Sequence, residues 1–107
     1  MVIFVENKHK QKIINDMTNY IIKHGQGYAG WYVGITKDIN ERLFEYHNVT
    51  KNTGTYIYYT APSSEIAREI EKYFLAHGAD GGTGGGNKED TDIIYIYKIT
   101  NYTKERD

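Results

Sequence analysis

WYVGITKDINERLFEYH, residues 31–47, changes its period part-way, and that change decides the fold. Trp31 to Thr36 is a β-rich run. Asp38, with Glu41 three residues on, then reads as a capping box that starts a helix. That helix runs to about His47, with Ile39, Leu43 and Tyr46 on one side. A strand followed at once by an amphipathic helix is an α/β element, and the flanking sequence repeats the alternation.

Upstream, the stretch from about Lys8 to His24 carries Ile13, Ile14, Met17, Tyr20 and Ile21 at helical spacing and stops at Gly25 after Lys23 and His24. Before it, residues 2–5 (VIFV) form a short β-prone run. Downstream, NVTKNTG is loop and TYIYYT, residues 55–60, is a second strand. Pro62, Ser63 and Ser64 open a helix over residues 64–77 that ends at Gly78, its apolar stripe being Ile66, Ile70, Tyr73 and Phe74. GADGGTGGGNKEDT is too glycine-rich for regular structure, IIYIYKI, residues 93–99, is the last strand, and KERD reads as a frayed tail. The expectation is a single small α/β (α+β) domain over residues 1–107, with a mostly antiparallel three-stranded sheet flanked by helices in the order α-β-α-β-α-β.

The chain has 107 residues, 39 % of them apolar and 25 % charged, one domain's worth of ordinary globular composition. Its formal net charge is −1, so contact with nucleic acid requires a local basic face. The absence of cysteine excludes disulfides and thiol chemistry and leaves oxygen or imidazole to hold any metal. The N-terminal apolar run is too short for a signal peptide and none approaches a membrane span, which reads as cytoplasmic with no membrane partner. Eleven tyrosines are the one outlier, clustered at Tyr56, Tyr58 and Tyr59 and at Tyr95 and Tyr97. The run GGTGGGNK lacks the ending of a phosphate-binding loop and follows a helix, although its free backbone N–H groups suit close approach to an anion.

Several of these residues together resemble the GIY-YIG nuclease family. Tyr32-Val33-Gly34 is similar to the family's second motif, Arg42 falls ten residues after Tyr32, and Tyr46, with His47 beside it, stands at the next family position. AREIEKYFL resembles the family's Ala-x-x-x-Glu pattern and places Glu71 as the metal ligand; Asn87 stands near the family's structural Asn. The first motif is missing upstream of Tyr32. The C-terminal YIYKITN resembles it instead, with Tyr95 in the Gly position and Tyr97 in the Tyr position, as in a circularly permuted chain. The resemblance covers residues 30–101 and leaves 1–25 as an addition.

The resemblance implies a Mg²⁺- or Mn²⁺-dependent endonuclease that hydrolyses DNA phosphodiester bonds. Tyr32 would act as general base or position it, Arg42 would pair with the scissile phosphate, and Glu71 would hold the metal. Tyr46, His47 and Tyr97 would orient water or phosphate, and Gly34 and Asn87 would serve structure or substrate binding. Arginine suits phosphate because its planar fork gives two parallel hydrogen bonds. Arg42 and Tyr46, four apart, share a helix face in any case, and Glu71 borders an apolar stripe, where a carboxylate wants a partner.

Without the pattern each residue has a plainer reading: the tyrosines as core edges, Arg42 as a solvated residue or a partner of Asp38, Glu71 as a surface charge, His24 and His77 as helix-end cations. The alternative function is a catalytically inactive module of the same fold that binds nucleic acid, a nucleotide or a protein. The isoleucine stripe of residues 8–24 needs burial, either on the sheet or in a homo-oligomer seam.

Overall fold

Helices whose apolar stripes lie on one side and strands that are apolar on both must be stacked in layers. The computed structural model describes residues 5–25, 27–82 and 91–106. In chain order the elements are α1 (Val5–His24), a 3₁₀ turn (Tyr28–Gly30), β1 (Trp31–Thr36), a π-helix (Asn40–Tyr46), β2 (Tyr56–Thr60), α2 (Ser64–Ala76), β3 (Asp80–Gly81) and β4 (Ile93–Lys98).

The sheet is mixed and four-stranded, in the order β2-β4-β1-β3. β4 pairs antiparallel with both β1 and β2, so the C-terminal strand lies between its two antiparallel partners. The expected three-stranded antiparallel sheet is therefore corrected by one strand. The two-residue β3 pairs parallel with β1, setting Asp80 opposite Tyr32 and Gly81 opposite Val33. Backbone pairing asks nothing of the side chains, which is why so short a strand fits beside a glycine-rich run. Residues 2–4 of the β-prone run lie outside the described residues, and its last member, Val5, opens α1.

Opposed residues in an antiparallel pair share a face. Trp31, Val33 and Ile35 of β1 therefore join Ile94 and Ile96 of β4 on one face. There they form the main core with Ile13, Ile14, Met17 and Ile21 of α1 and with Ile66, Ala67, Ile70 and Phe74 of α2. Each such large side chain contributes about 1.5–3 kcal/mol when fully buried. The stripe of α1 is thus buried within one chain, and Lys10 ties α1 to Glu69 of α2 at 2.8 Å. The Ser63 side chain accepts from the Ile66 N–H at 3.1 Å to cap α2. Gly25 and Gly78, both at positive φ, close the two long helices. No helix among the described residues is long and apolar enough to cross a membrane.

The opposite face carries tyrosines. Tyr32 and Tyr97 are partners across β1 and β4, Tyr56 stands across from Tyr97 on β2, and Tyr95 pairs with Gly34. The π-helix covers them with Leu43, and the following loop adds Val49. With both faces covered, every residue of β1 is buried.

Candidate functional site

The expected helix after β1 does form, wound more widely than an α-helix. The His47 N–H reaches the Arg42 carbonyl at 3.0 Å, the i to i−5 bond of a π-helix, while Arg42 N–H still bonds the Asp38 carbonyl at 3.1 Å. Its first turn is held by the Asp38 carboxylate, which accepts from the Glu41 N–H at 3.1 Å. π-helical turns are rare and concentrate at functional sites. Here the wide turn leaves Arg42 beside Tyr46, the guanidinium carbon 4.0 Å from the ring centroid. The charge of the same guanidinium also acts on the Tyr95 hydroxyl.

His47, fully buried, is the hub of the tyrosine face. Its Nδ1 lies 2.6 Å from the Lys104 carbonyl, which can only accept, so Nδ1 carries the proton. Nε2 is then the acceptor, and the Tyr95 hydroxyl donates to it at 2.8 Å. The Tyr97 hydroxyl lies 3.0 Å from Nδ1 and donates to the Glu105 carboxylate at 2.9 Å. Tyr95 is thus bonded to His47 and Tyr97 to Glu105, and the 3.0 Å approach of the Tyr97 hydroxyl to Nδ1 sets the two pairs side by side. Tyr32 packs against this group, its ring centroid 4.6 Å from that of His47 and 5.2 Å, stacked, from that of Tyr97.

The tail is anchored, against the expectation of fraying. The Lys104 N–H returns a bond to the His47 carbonyl at 2.8 Å, and Thr103 donates to Glu105 at 2.7 Å. Arg106 forms a two-pronged ion pair with Asp80, the register partner of Tyr32.

Electrostatics follow from burial. Burial raises the pKa of the Tyr32 hydroxyl above its ordinary value of about 10, against the opposing pull of Arg42 and Arg106. Burial likewise pushes Tyr95 and Tyr97 well up. It pushes His47 down, against the Lys104 carbonyl, so the imidazole is neutral at pH 7. The Asp80 carboxyl is held low by its bond to Arg106.

Of the residues singled out in the sequence, Tyr32, Arg42, Tyr46, His47 and Tyr97 meet in this cluster. Glu71 lies half-buried on α2, and its charge reaches the Tyr95 hydroxyl. Asn87 lies outside the described residues. Tyr95, read only as the residue in the family's Gly position, and Glu105 were given no site role. Tyr95 could have been found as the neighbour of Tyr97 on one strand face, two residues apart; Glu105 had no local signal. A separate cleft of about 420 Å³ between α1 and β2, lined by His9, Lys12, Ile13, Tyr59, Ala61 and Pro62, contains none of these residues.

Gly34 is what lets Tyr95 reach the hub. A methyl group there would stand 2.5 Å from Tyr95 Cζ, because the Tyr95 ring lies across the glycine. Gly34→Ala is therefore expected to displace a fully buried ring and destabilise the fold by about 1–3 kcal/mol. Urea denaturation measures this, and an unchanged midpoint would show that the ring moves freely.

Glu71 provides a test of opposite sign. Burial raises its pKa above 4.5, against Arg68 and Lys72. The folded chain then holds the Glu71 proton more tightly than the unfolded one, and stability is lost as pH rises from about 4.5 through the folded pKa. Glu71→Gln is expected to melt higher than the parent at pH 7 and to converge with it below pH 4.5. Equal melting temperatures at both pH values would contradict a strained carboxylate.

No family model, curated protein or solved structure matches the chain.

Proposed function

We propose that the chain is a metal-dependent endonuclease with a GIY-YIG-type site that hydrolyses DNA phosphodiester bonds. The observation that carries this reading is the convergence of Arg42 and Tyr46 from the π-helix with Tyr32 and Tyr97 from adjacent strands. The middle position of β4 adds support, because a C-terminal strand that pairs with β1 throughout can stand in for one that would ordinarily precede it. Tyr95, where the resemblance has glycine, is accommodated by Gly34 directly opposite.

In this reading Arg42 pairs with the phosphoryl oxygens, held over the Tyr46 ring with its charge acting on the Tyr95 hydroxyl. Tyr32, with its pKa raised, keeps its proton near neutral pH and serves to orient water or phosphate as a donor. Tyr97 and His47 act through position: they hold one another and the tail, and Tyr32 stacks on them. Among the described residues no group of three His, Asp or Glu could hold a metal by itself. Glu71 is a single strained carboxylate, which fits Mg²⁺ or Mn²⁺ held mainly by water and substrate phosphate. Such an ion supplies charge to the attacked phosphoryl group and the leaving oxygen when bound.

One observation favours the second reading, a catalytically inactive module of the same fold. The Tyr95 and Tyr97 hydroxyls are engaged internally, and Tyr32 is only 2 % exposed. The test is nicking of plasmid DNA in Mg²⁺ or Mn²⁺. Nicking lost in both Arg42→Ala and Glu71→Ala supports the nuclease; no nicking by the folded parent chain favours the module.

A further inference from the structure

We infer that Arg106 is the second guanidinium of an anion site at Tyr32, one that takes a phosphate group together with Arg42. The inference rests on the reading of Arg42 as a phosphate ligand, and adds a residue outside the stretch that carries the family resemblance.

The geometry begins with β3. Pairing sets Asp80 beside Tyr32, and the Tyr32 hydroxyl reaches the backbone beyond that strand, where a methyl group on Gly82 would stand 2.6 Å from it. Arg106 closes on the same place, with Nη1 on Asp80 Oδ2 at 3.2 Å, Nη2 on Oδ1, and Nη2 on the Gly81 carbonyl at 3.4 Å. Its position is not left to chance. The two preceding residues are tied into the hub, Lys104 through both backbone groups to His47 and Glu105 to Tyr97, so the chain delivers residue 106 to the end of β3.

The Arg106 side chain is 59 % exposed, so the two-pronged pair with Asp80 adds modestly to stability and leaves much of the guanidinium in water. What the pair does is fix a guanidinium plane while leaving its outer side in solvent. The three bonds to Asp80 and Gly81 use three of the five N–H donors of an arginine. Arg42 reaches the same neighbourhood from the π-helix, over the Tyr46 ring that abuts His47, which packs on Tyr32, and both guanidinia act on the Tyr32 hydroxyl. The two arginines are matched in charge by Asp80 and Glu105, so what they offer an anion is fixed N–H donors rather than net positive charge. Asp80 opposes an incoming anion in part, and its contribution is to orient Arg106.

The test uses the full chain labelled with ¹³Cζ-tyrosine, in EDTA so that nothing is cleaved. Inorganic phosphate and a short 5′-phosphorylated oligonucleotide are titrated separately while the Tyr32 signal is followed. Parent, Arg106→Ala and Arg106→Lys chains are compared at several salt concentrations, after thermal melts confirm that each is folded. The expected result is a Tyr32 shift on binding, an affinity about tenfold weaker in Arg106→Ala, partial recovery in Arg106→Lys, and a salt slope reduced by about one in Arg106→Ala. Response to both probes identifies phosphate itself as the ligand, and response to the oligonucleotide alone identifies the polymer. Arg106→Ala that binds as the parent does, or a parent chain that binds neither probe, overturns the proposal. Plasmid nicking by the same chains separates the two readings. Arg106-dependent binding without nicking ends the nuclease reading alone, and nicking unaffected by Arg106→Ala ends this one alone.

Discussion

Arg42→Ala is expected to lower the rate of plasmid nicking about a thousandfold or more while leaving the chain folded. The magnitude follows from the role. An arginine fixed against the charge that builds on a transferring phosphoryl group contributes about 10³–10⁵ in rate, and a thousandfold corresponds to roughly 4 kcal/mol of barrier. The structural loss is smaller. Arg42 is half-buried, and removing it releases a ring contact with Tyr46 and a favourable charge near the Tyr95 hydroxyl, which keeps its bond to His47. Each is worth about 1 kcal/mol.

Arg42→Lys sharpens the test. Lysine restores the charge without the planar fork, so it cannot both stack on Tyr46 and present two parallel N–H groups to phosphate. Its rate is expected to lie between those of the parent and Arg42→Ala, nearer the latter. Rates are read by gel from supercoiled plasmid under single-turnover conditions. An Arg42→Ala chain that nicks within threefold of the parent would remove Arg42 from the chemistry, and with it the proposed site.

The elements legible in the sequence were those whose pattern is local. WYVGIT and IIYIYKI read as strands because both are rich in β-branched and aromatic residues, and both lie in the sheet's interior. α2 was bounded by Ser63 and Gly78, and both do the work expected of a cap and a terminator. The π-helix read as an α-helix because Ile39, Leu43 and Tyr46 fit either winding; backbone bonds such as that from His47 to the Arg42 carbonyl separate the two, and no side-chain pattern reports them. The tail read as frayed because Lys104, Glu105 and Arg106 find their partners at His47, Tyr97 and Asp80, two of them far along the chain. The meeting of Arg42 and Tyr46 followed from spacing alone. The central part of Tyr95 did not, since it depends on the register that places a tyrosine opposite Gly34.

The second large effect is on stability. His47→Ala is expected to destabilise the fold by about 3–5 kcal/mol, a large share of the 5–15 kcal/mol that holds a small domain together. The substitution leaves the Tyr95 hydroxyl and the Lys104 carbonyl without their imidazole partner in a site closed to water, at about 1–3 kcal/mol for each group. It also opens a cavity beneath the Tyr32 ring. His47→Asn, whose amide is placed to donate where Nδ1–H does, is expected to recover part of the loss.

pH then identifies the imidazole as the cause. Burial holds the folded pKa of His47 below its ordinary value of about 6.5, so the unfolded chain takes up a proton that the folded chain refuses. The contribution is fully present above pH 6.5 and is lost as pH falls toward the folded value. The parent chain is expected to lose stability between pH 7 and 5, and His47→Asn to lose less over the same window. Urea titrations at the two pH values, read by circular dichroism, give the comparison. Equal losses in the two chains would mean that His47 is not the group that resists protonation. A larger loss in the parent would place a proton-sensitive group directly between Tyr95 and the segment that carries Arg106, so that mild acid would loosen the hub, the tail and the neighbourhood of Tyr32 together.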